Sequence, residues 1–263
     1  MICVNDIVTF LETLAPRNMA EDWDNVGLLC GSSAAPVTKI LVALDPFSSV
    51  CQEAAQLGAE LIVTHHPLIF SPLKSVTDAS SVGQCFHTLL KNGISAINAH
   101  TNLDMAPGGV NDVLAQALGL EDITVPYPLG LDANGRAYGL LRTGTVASQP
   151  LDDFLSRVKE RLGCPGLRYA DGGKPVHRVA VGGGACGSEW LQAVQAGCDT
   201  FVTADVKYNQ FWDAQQAGLT LIDAGHFYTE NPVVAVLAQK LQAAFPEIPV
   251  SISKTHRDCM KFF

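Results

Sequence analysis

Basic residues are scarce in this chain. Seventeen Lys and Arg against 26 Asp and Glu give a formal net charge of −9 and a pI near 5.1. A chain of that sign is repelled by phosphate backbones, which argues against nucleic acid as a partner. Long apolar runs are also missing, and nothing approaches the roughly 20 residues of a membrane span. The opening MICVNDIVTFLETLAP has no basic segment, and Asp6 and Glu12 interrupt it, so it does not read as a signal peptide. The expectation is a soluble cytoplasmic protein. There are eight cysteines but no C-x-x-C pair, which excludes a zinc ribbon or a thioredoxin motif. Most lie in apolar stretches, as small buried hydrophobes of a reducing compartment do. Several hydrolase signatures are absent too: H-x-H-x-D-H, D-H-H, H-E-x-x-H and G-x-S-x-G. Their absence argues against metallo-β-lactamase, DHH-phosphoesterase, zincin and serine-hydrolase chemistry.

What is present is a well-buried globular chain of 263 residues, 48% hydrophobic and 16% charged, with mean hydropathy +0.19. That is enough for one large α/β domain or two smaller ones. Ile7, Phe10, Leu11 and Leu14 fall at helical spacing, with Asn5 as the expected N-cap. An internal repeat organises the rest. ILVALDPFSSVCQEAAQLGAELIVTHH (40–66) aligns without a gap on VAVGGGACGSEWLQAVQAGCDTFVTAD (179–205). Val42 meets Val181, Ala54 meets Ala193, Gly58 meets Gly197, and Val63-Thr64 meets Val202-Thr203. Each copy reads strand, turn, amphipathic helix, stop glycine, strand. NGISAINAH (92–100) likewise resembles AGLTLIDAG (217–225). The spacing predicts two related α/β halves with mostly parallel strands and helical crossovers. We place the first half at 1–120, a connecting elaboration at 121–176, and the second half at 177–263.

Chemistry in such sheets gathers where strands end. Three strand-end segments carry ligand-type residues: THHP with His65 and His66, NAHTNLD with His100 and Asp104, and DAGHFYTE with Asp223, His226 and Glu230. His65, His66, Asp104, His226 and Glu230 offer three imidazoles and two carboxylates. That mixture suits zinc, iron, manganese or nickel, and argues against an all-oxygen calcium cage. Adjacent histidines cannot face one pocket inside a strand, but beyond its end they can, and Pro67 marks that end. The pairs His226/Glu230 and His100/Asp104 converge only where their segments are helical. His87, His177 and His256 are expected to be structural. The polar stretch Ser71–Ser81 is expected to be a loop near the site.

Residues 182–187, GGGACG, match a dinucleotide-binding G-x-G-x-x-G between a strand and a helix, with Asp205 about where a ribose-binding acid would stand. The aligned first copy has LDPFSS there, so the expectation is a tight strand-to-helix turn. Phosphate contact by its backbone N–H groups is a further possibility.

EDWDNVGLL (21–29), VTHHPLIF (63–70), NAHTNLDMAPGGVND (98–112), VTADVKYNQ (202–210) and DAGHFYTE (223–230), taken in order, resemble the NIF-three-like family of dinuclear metal-binding proteins. Its bacterial members, of the YbgI type, carry the label GTP cyclohydrolase I type 2 homologue. The resemblance implies a duplicated α/β fold with two divalent cations (zinc, iron or manganese) in a cleft between the halves. By motif the ligands fall on His65, His66, Asp104, His226 and Glu230. His100 becomes a neighbour of the site and the candidate catalytic proton carrier. The resemblance also implies a ring-shaped homohexamer, a trimer of dimers with sites facing an interior cavity. The label implies opening of the guanine imidazole ring of GTP, with release of formate, by a metal-activated water. The expected function is thus a dinuclear metal-dependent hydrolase acting on a nucleotide or related phosphate compound. The alternative is a metal-handling or assembly protein without turnover. Trp23, Asp24 and Asn25 belong to the N-terminal motif, and Trp23 is expected to pack. Ala204 stands where the family often has Gly, and Asn209 where it often has His. Neither is an expected ligand, and the second bears on substrate choice.

Overall fold

A computed structural model describes residues 1–262. The chain divides into two compact units. One comprises Met1–Leu103 with Val234–Asp258, and the other comprises Asp104–Val233 with the segment from Cys259.

The first unit is built on a five-stranded sheet. Its strands are β1 (Gly27–Cys30), β2 (Ile40–Ala43), β3 (Leu61–Thr64), β4 (Ser95–Asn98) and β13 (Val250–Ile252), in the order β1-β4-β3-β2-β13. Every residue of β2, β3 and β4 is buried, as expected for central strands of a sheet covered on both faces. These strands are parallel, with Ile40 opposite Leu61 and Leu61 opposite Ser95, while β1 closes one edge antiparallel. Its helices include α1 (Val4–Leu14), α2 (Ser48–Leu57) and α3 (Ser81–Lys91). α2 ends at Gly58, whose φ of +63° a Cβ-bearing residue resists. Helix α1 begins earlier than an Asn5 cap predicts: Cys3 is the N-cap, and its N–H donates to Asp6 Oδ2 at 2.8 Å. The acidic side chain at the third helical position wins because it satisfies a backbone donor that Asn5 cannot reach from inside the helix.

The second unit has a six-stranded sheet made of β5 (Glu121–Thr124), β8 (Arg142–Gln149), β9 (Arg168–Ala170), β10 (Val176–Val181), β11 (Thr200–Thr203) and β12 (Thr220–Asp223). Their order is β5-β8-β10-β11-β12-β9. A hairpin of β6 (Gly130–Leu131) and β7 (Ala137–Tyr138) stands apart. β10, β11 and β12 are parallel, and the other members pair antiparallel. The segment 121–176, read as a connecting elaboration, supplies β5, β8 and β9 of this sheet. Side chains alternate across it. Val179, Val202 and Ile222 pack under Phe154 and Val158 of α6 (Leu151–Leu162) and Leu114 of α5 (Val110–Ala117). Ala180, Phe201 and Leu221 pack with Ala193 of α7 (Trp190–Gln195) and Ala214 of α8 (Tyr208–Gln216).

The repeat is visible in both units. β3 and β11 occupy matching positions of the alignment, and the place of α2 is taken by a 3₁₀ turn (Cys186–Glu189) running into α7. Two short helices carry ligand-type residues, α4 (Thr101–Met105) and α9 (His226–Glu230), and α10 (Pro232–Ala244) follows. No described helix is long and apolar enough to cross a membrane.

Candidate metal centre

In the first unit, His65 and His66 follow directly on β3. Past the strand end the pleat no longer forces them apart, and their rings lie 4.9 Å from each other. His65 is fully buried. Its Nδ1 donates to the Ala99 carbonyl at 2.9 Å, while His66 Nδ1 meets Asp45 Oδ1 at 2.6 Å. His100, just before α4, joins them with ring centroids 5.2 Å and 5.6 Å away. Ring nitrogens of all three lie within 4.8 Å of one another. His100 Nδ1 meets Asp24 Oδ1 at 2.9 Å.

A carbonyl or carboxylate oxygen can only accept. Each of these contacts therefore puts the proton of a neutral imidazole on Nδ1 and the lone pair on Nε2. That arrangement, with the ring oriented by an oxygen acceptor behind it, is how proteins prepare histidine for a cation. Asp24 is a strong anchor. Burial alone would raise its pKa, but the His100 ring and the Thr101 hydroxyl and N–H outweigh it and bring the carboxyl down to about 2.

The second unit repeats the device. α9 is a single helical turn, so His226 and Glu230 do converge, with Nε2 and Oε2 3.1 Å apart. His226 Nδ1 meets Asp205 Oδ2 at 2.8 Å. Asp205 is thus occupied with a histidine rather than with a ribose. It holds a φ of +53°, a conformation Asp tolerates better than most residues and one found where a site imposes it. Asp104, in α4, has a carboxylate oxygen within 4.8 Å of one of Glu230. Both acids are buried. Their negative charges add to burial in pushing the Cys186 thiol far above its ordinary value, so it stays protonated beside them.

The glycine turn has a role that its sequence did not disclose. A Cβ on Gly184 would overlap Glu230 Oε1 and stand 3.0 Å from its carboxyl carbon. Three of its N–H groups are used within the protein: Gly183 N–H donates to Asn111 Oδ1 at 2.7 Å, Gly184 N–H to Thr229 Oγ1 at 3.0 Å, and Cys186 N–H to Gly184 O at 2.9 Å. The protein's own acceptors thus satisfy the amides of Gly183, Gly184 and Cys186, which takes these three away from a phosphate. Fully buried Asn111 also donates to the carbonyls of Asp104 (3.1 Å) and Leu140 (2.7 Å), so one side chain holds both the Asp104 backbone and the turn. Beside it, buried Arg142 donates to the Met105 and Ala106 carbonyls and pairs with Asp112.

Sequence reasoning missed Asp24 and Asp45 as histidine anchors, and missed Asn111 altogether. The available signal was weak: an acid at the end of β2 and one in the N-terminal motif, without a spacing rule to join them to histidines. Trp23 departs from expectation, since its ring is 60% exposed. Of the remaining histidines, His87 is exposed on α3, His177 Nδ1 meets the Val146 carbonyl, and burial lowers the pKa of His256. Ala204 is buried with its N–H on Gly184 O, and Asn209 is exposed in the first turn of α8.

The chain is similar to known proteins over its whole length. The chain is 35% identical to the GTP cyclohydrolase 1 type 2 homolog of Clostridium perfringens, over 98% of this chain and 99% of that one. It is 37% identical to the protein of that name from Streptomyces coelicolor, over 97% and 92%. The solved structure of a Bacillus cereus protein related to NIF3 superposes with a TM-score of 0.93 at 27% identity, covering 100% of this chain and 99% of the other. The Duf34/NIF3 (NGG1p interacting factor 3) family matches residues 2–259, and the chain belongs to that family.

Proposed function

We propose that this protein is a metal-dependent hydrolase holding two divalent cations on His65, His66, Asp104, His226 and Glu230, and acting on a nucleotide or related phosphate compound. The observation that carries this reading is the shared state of the imidazoles. Each of His65, His66 and His226 is held through Nδ1 by an oxygen acceptor, so Nε2 is the nitrogen left on the far side of the ring from that anchor. Buried carboxylates complete a nitrogen and oxygen donor set that zinc, iron and manganese all accept. When bound, such a pair of cations lowers the pKa of a water and clamps attacking and leaving oxygens.

The chain's own residues do the rest. Asp24, held ionised, orients His100 so that its Nε2 can take a proton and return it, which is general acid–base work. Burial of His65, Asp104 and Glu230 excludes water and strengthens electrostatics at the reacting centre. The names of the relatives support GTP as the substrate to test first, with formate as product. Family resemblance further supports a ring-shaped homohexamer in the cytoplasm, checked by a solution mass near six times the 28.0 kDa chain.

The test is metal content of purified wild type, His65→Ala and Glu230→Ala, followed by formate release from GTP with zinc, iron or manganese. Two metals in wild type, fewer in both variants, and formate under at least one metal are expected. Two metals retained in both variants would end the ligand assignment. No formate with any metal would favour metal handling without turnover.

A further inference from the structure

The mechanism above leaves one feature of the first unit unused. Trp23 and Phe70 are 60% and 64% exposed, yet their rings stand 5.8 Å apart, tilted by 55°. Both also approach His100, with centroids at 6.1 Å and 6.4 Å. The chain is poor in aromatics, at 7%, and here two of them face solvent side by side against the histidine cluster.

Their backbones are fixed. Around Trp23, the Glu21 N–H donates to Thr101 Oγ1 at 3.0 Å and Asp24 accepts from Thr101 N–H at 3.0 Å. Asn98 Nδ2 donates to the Asn25 carbonyl at 3.1 Å. Asn25 Nδ2 in turn donates to the Ile69 carbonyl at 2.8 Å, tying the Trp23 loop to the residue before Phe70. A surface loop with so many anchors holds the backbone that carries the rings before any ligand arrives, which lowers the entropy lost on binding. Burying neither ring, the fold gains little from this pair by packing.

We propose that Trp23 and Phe70 form a stacking platform for a planar nitrogen heterocycle, presented with its edge toward His100. Such rings stack on aromatic faces whatever their substituents, with each stacked base contributing about 1–3 kcal/mol. Two exposed carboxylates, Glu21 and Asp22, immediately precede Trp23 in the chain. Carboxylates accept from the N–H edge of a base. This deepens the hydrolase reading, and rests on it for the orientation toward His100. It supplies what the ligand set lacks, a surface that recognises the base rather than the phosphates.

The test uses the full-length protein with three probes, guanosine, GTP and tripolyphosphate, followed by tryptophan fluorescence and calorimetry. Guanosine and GTP should quench emission and tripolyphosphate should not, and quenching should vanish in Trp23→Leu. Trp23→Leu and Phe70→Leu should each weaken guanosine binding by roughly 5- to 150-fold. Trp23→Phe should restore most of it, and metal content should not change in any of them. Unchanged guanosine affinity in both Leu variants would overturn the proposal. So would a changed assembly mass with unchanged affinity, which would assign the rings to contact between copies of the chain. Guanosine binding without formate release would sink the hydrolase reading and leave the platform standing. Formate release with an unaltered KM in Trp23→Leu would do the reverse.

Discussion

Gly184 lies against Glu230 so closely that only a hydrogen fits where a Cβ would stand. His226 Nε2 is 3.3 Å from the same point. The glycine also holds a φ of +63°, and its N–H donates to Thr229 Oγ1, the residue before Glu230. Space, backbone conformation and hydrogen bonding at one position thus set where the Glu230 carboxylate sits.

Gly184→Ala should therefore cost metal before it costs the fold. The left-handed conformation adds about 1–2 kcal/mol of strain, and the methyl group must displace Glu230. Far-ultraviolet circular dichroism should be unchanged, while bound metal measured by elemental analysis should drop. Full metal occupancy in this variant would show that Glu230 is not held by the turn.

Asp45 and Asp205 should each matter without touching a cation. Removing the oxygen behind His66 or His226 frees the ring and lowers its basicity, which typically weakens metal affinity by about 10–100-fold. Asp45→Ala and Asp205→Ala, titrated against a competing chelator, should both show that loss, and their melting temperatures should stay within a few degrees of wild type.

Asn111→Leu should be severely destabilising. It strands the Gly183 N–H and the carbonyls of Asp104 and Leu140 in a fully buried place. Each unsatisfied buried group costs about 1–3 kcal/mol, so urea unfolding should show a loss of at least about 2 kcal/mol. Asn111→Asp keeps the acceptor for Gly183 and should lose less.

Glu53 predicts an acid-sensitive edge in the first unit. Burial raises its pKa, but the Ser253 hydroxyl, the Lys254 N–H and the Thr255 hydroxyl and N–H outweigh this and hold it below its ordinary value of about 4.5. A depressed folded-state pKa gives stability that is present above about pH 4.5 and lost as the pH falls through the lower folded value. Those donors belong to the segment after β13, which pairs with β2. Hydrogen exchange of Val250–Ile252 should accelerate between pH 5 and pH 3 in wild type. Glu53→Gln should show faster exchange already at pH 6 and little further change.

Much of this was legible in the sequence. Period and punctuation placed β2, α2 and β3, and the alignment placed β10, α7 and β11, because buried parallel strands must be apolar throughout and helices must stop at residues such as Gly58. Beyond those, the strand ends told where ligand-type side chains gather. His226 and Glu230 were ambiguous only because Asn231-Pro232 permits a helix start there. The structure has both, one turn before Pro232 and a longer helix from it.

The sequence by itself determined the periodic elements, the duplicated frame and the residue types available to a cation, since each depends on local propensity or on composition. Tertiary structure alone decided what stands behind the histidines. In the repeat, Asp45 aligns with Gly184 and His66 with Asp205. In one half the first position anchors the histidine. In the other, the second position anchors a histidine from the next strand end, and the first becomes a glycine that makes room for Glu230. Hydrogen-bond partners 21 residues apart and a clash that only a missing Cβ avoids carry no periodic signal. They exist only once the strands are in register and the turns have brought their ends together.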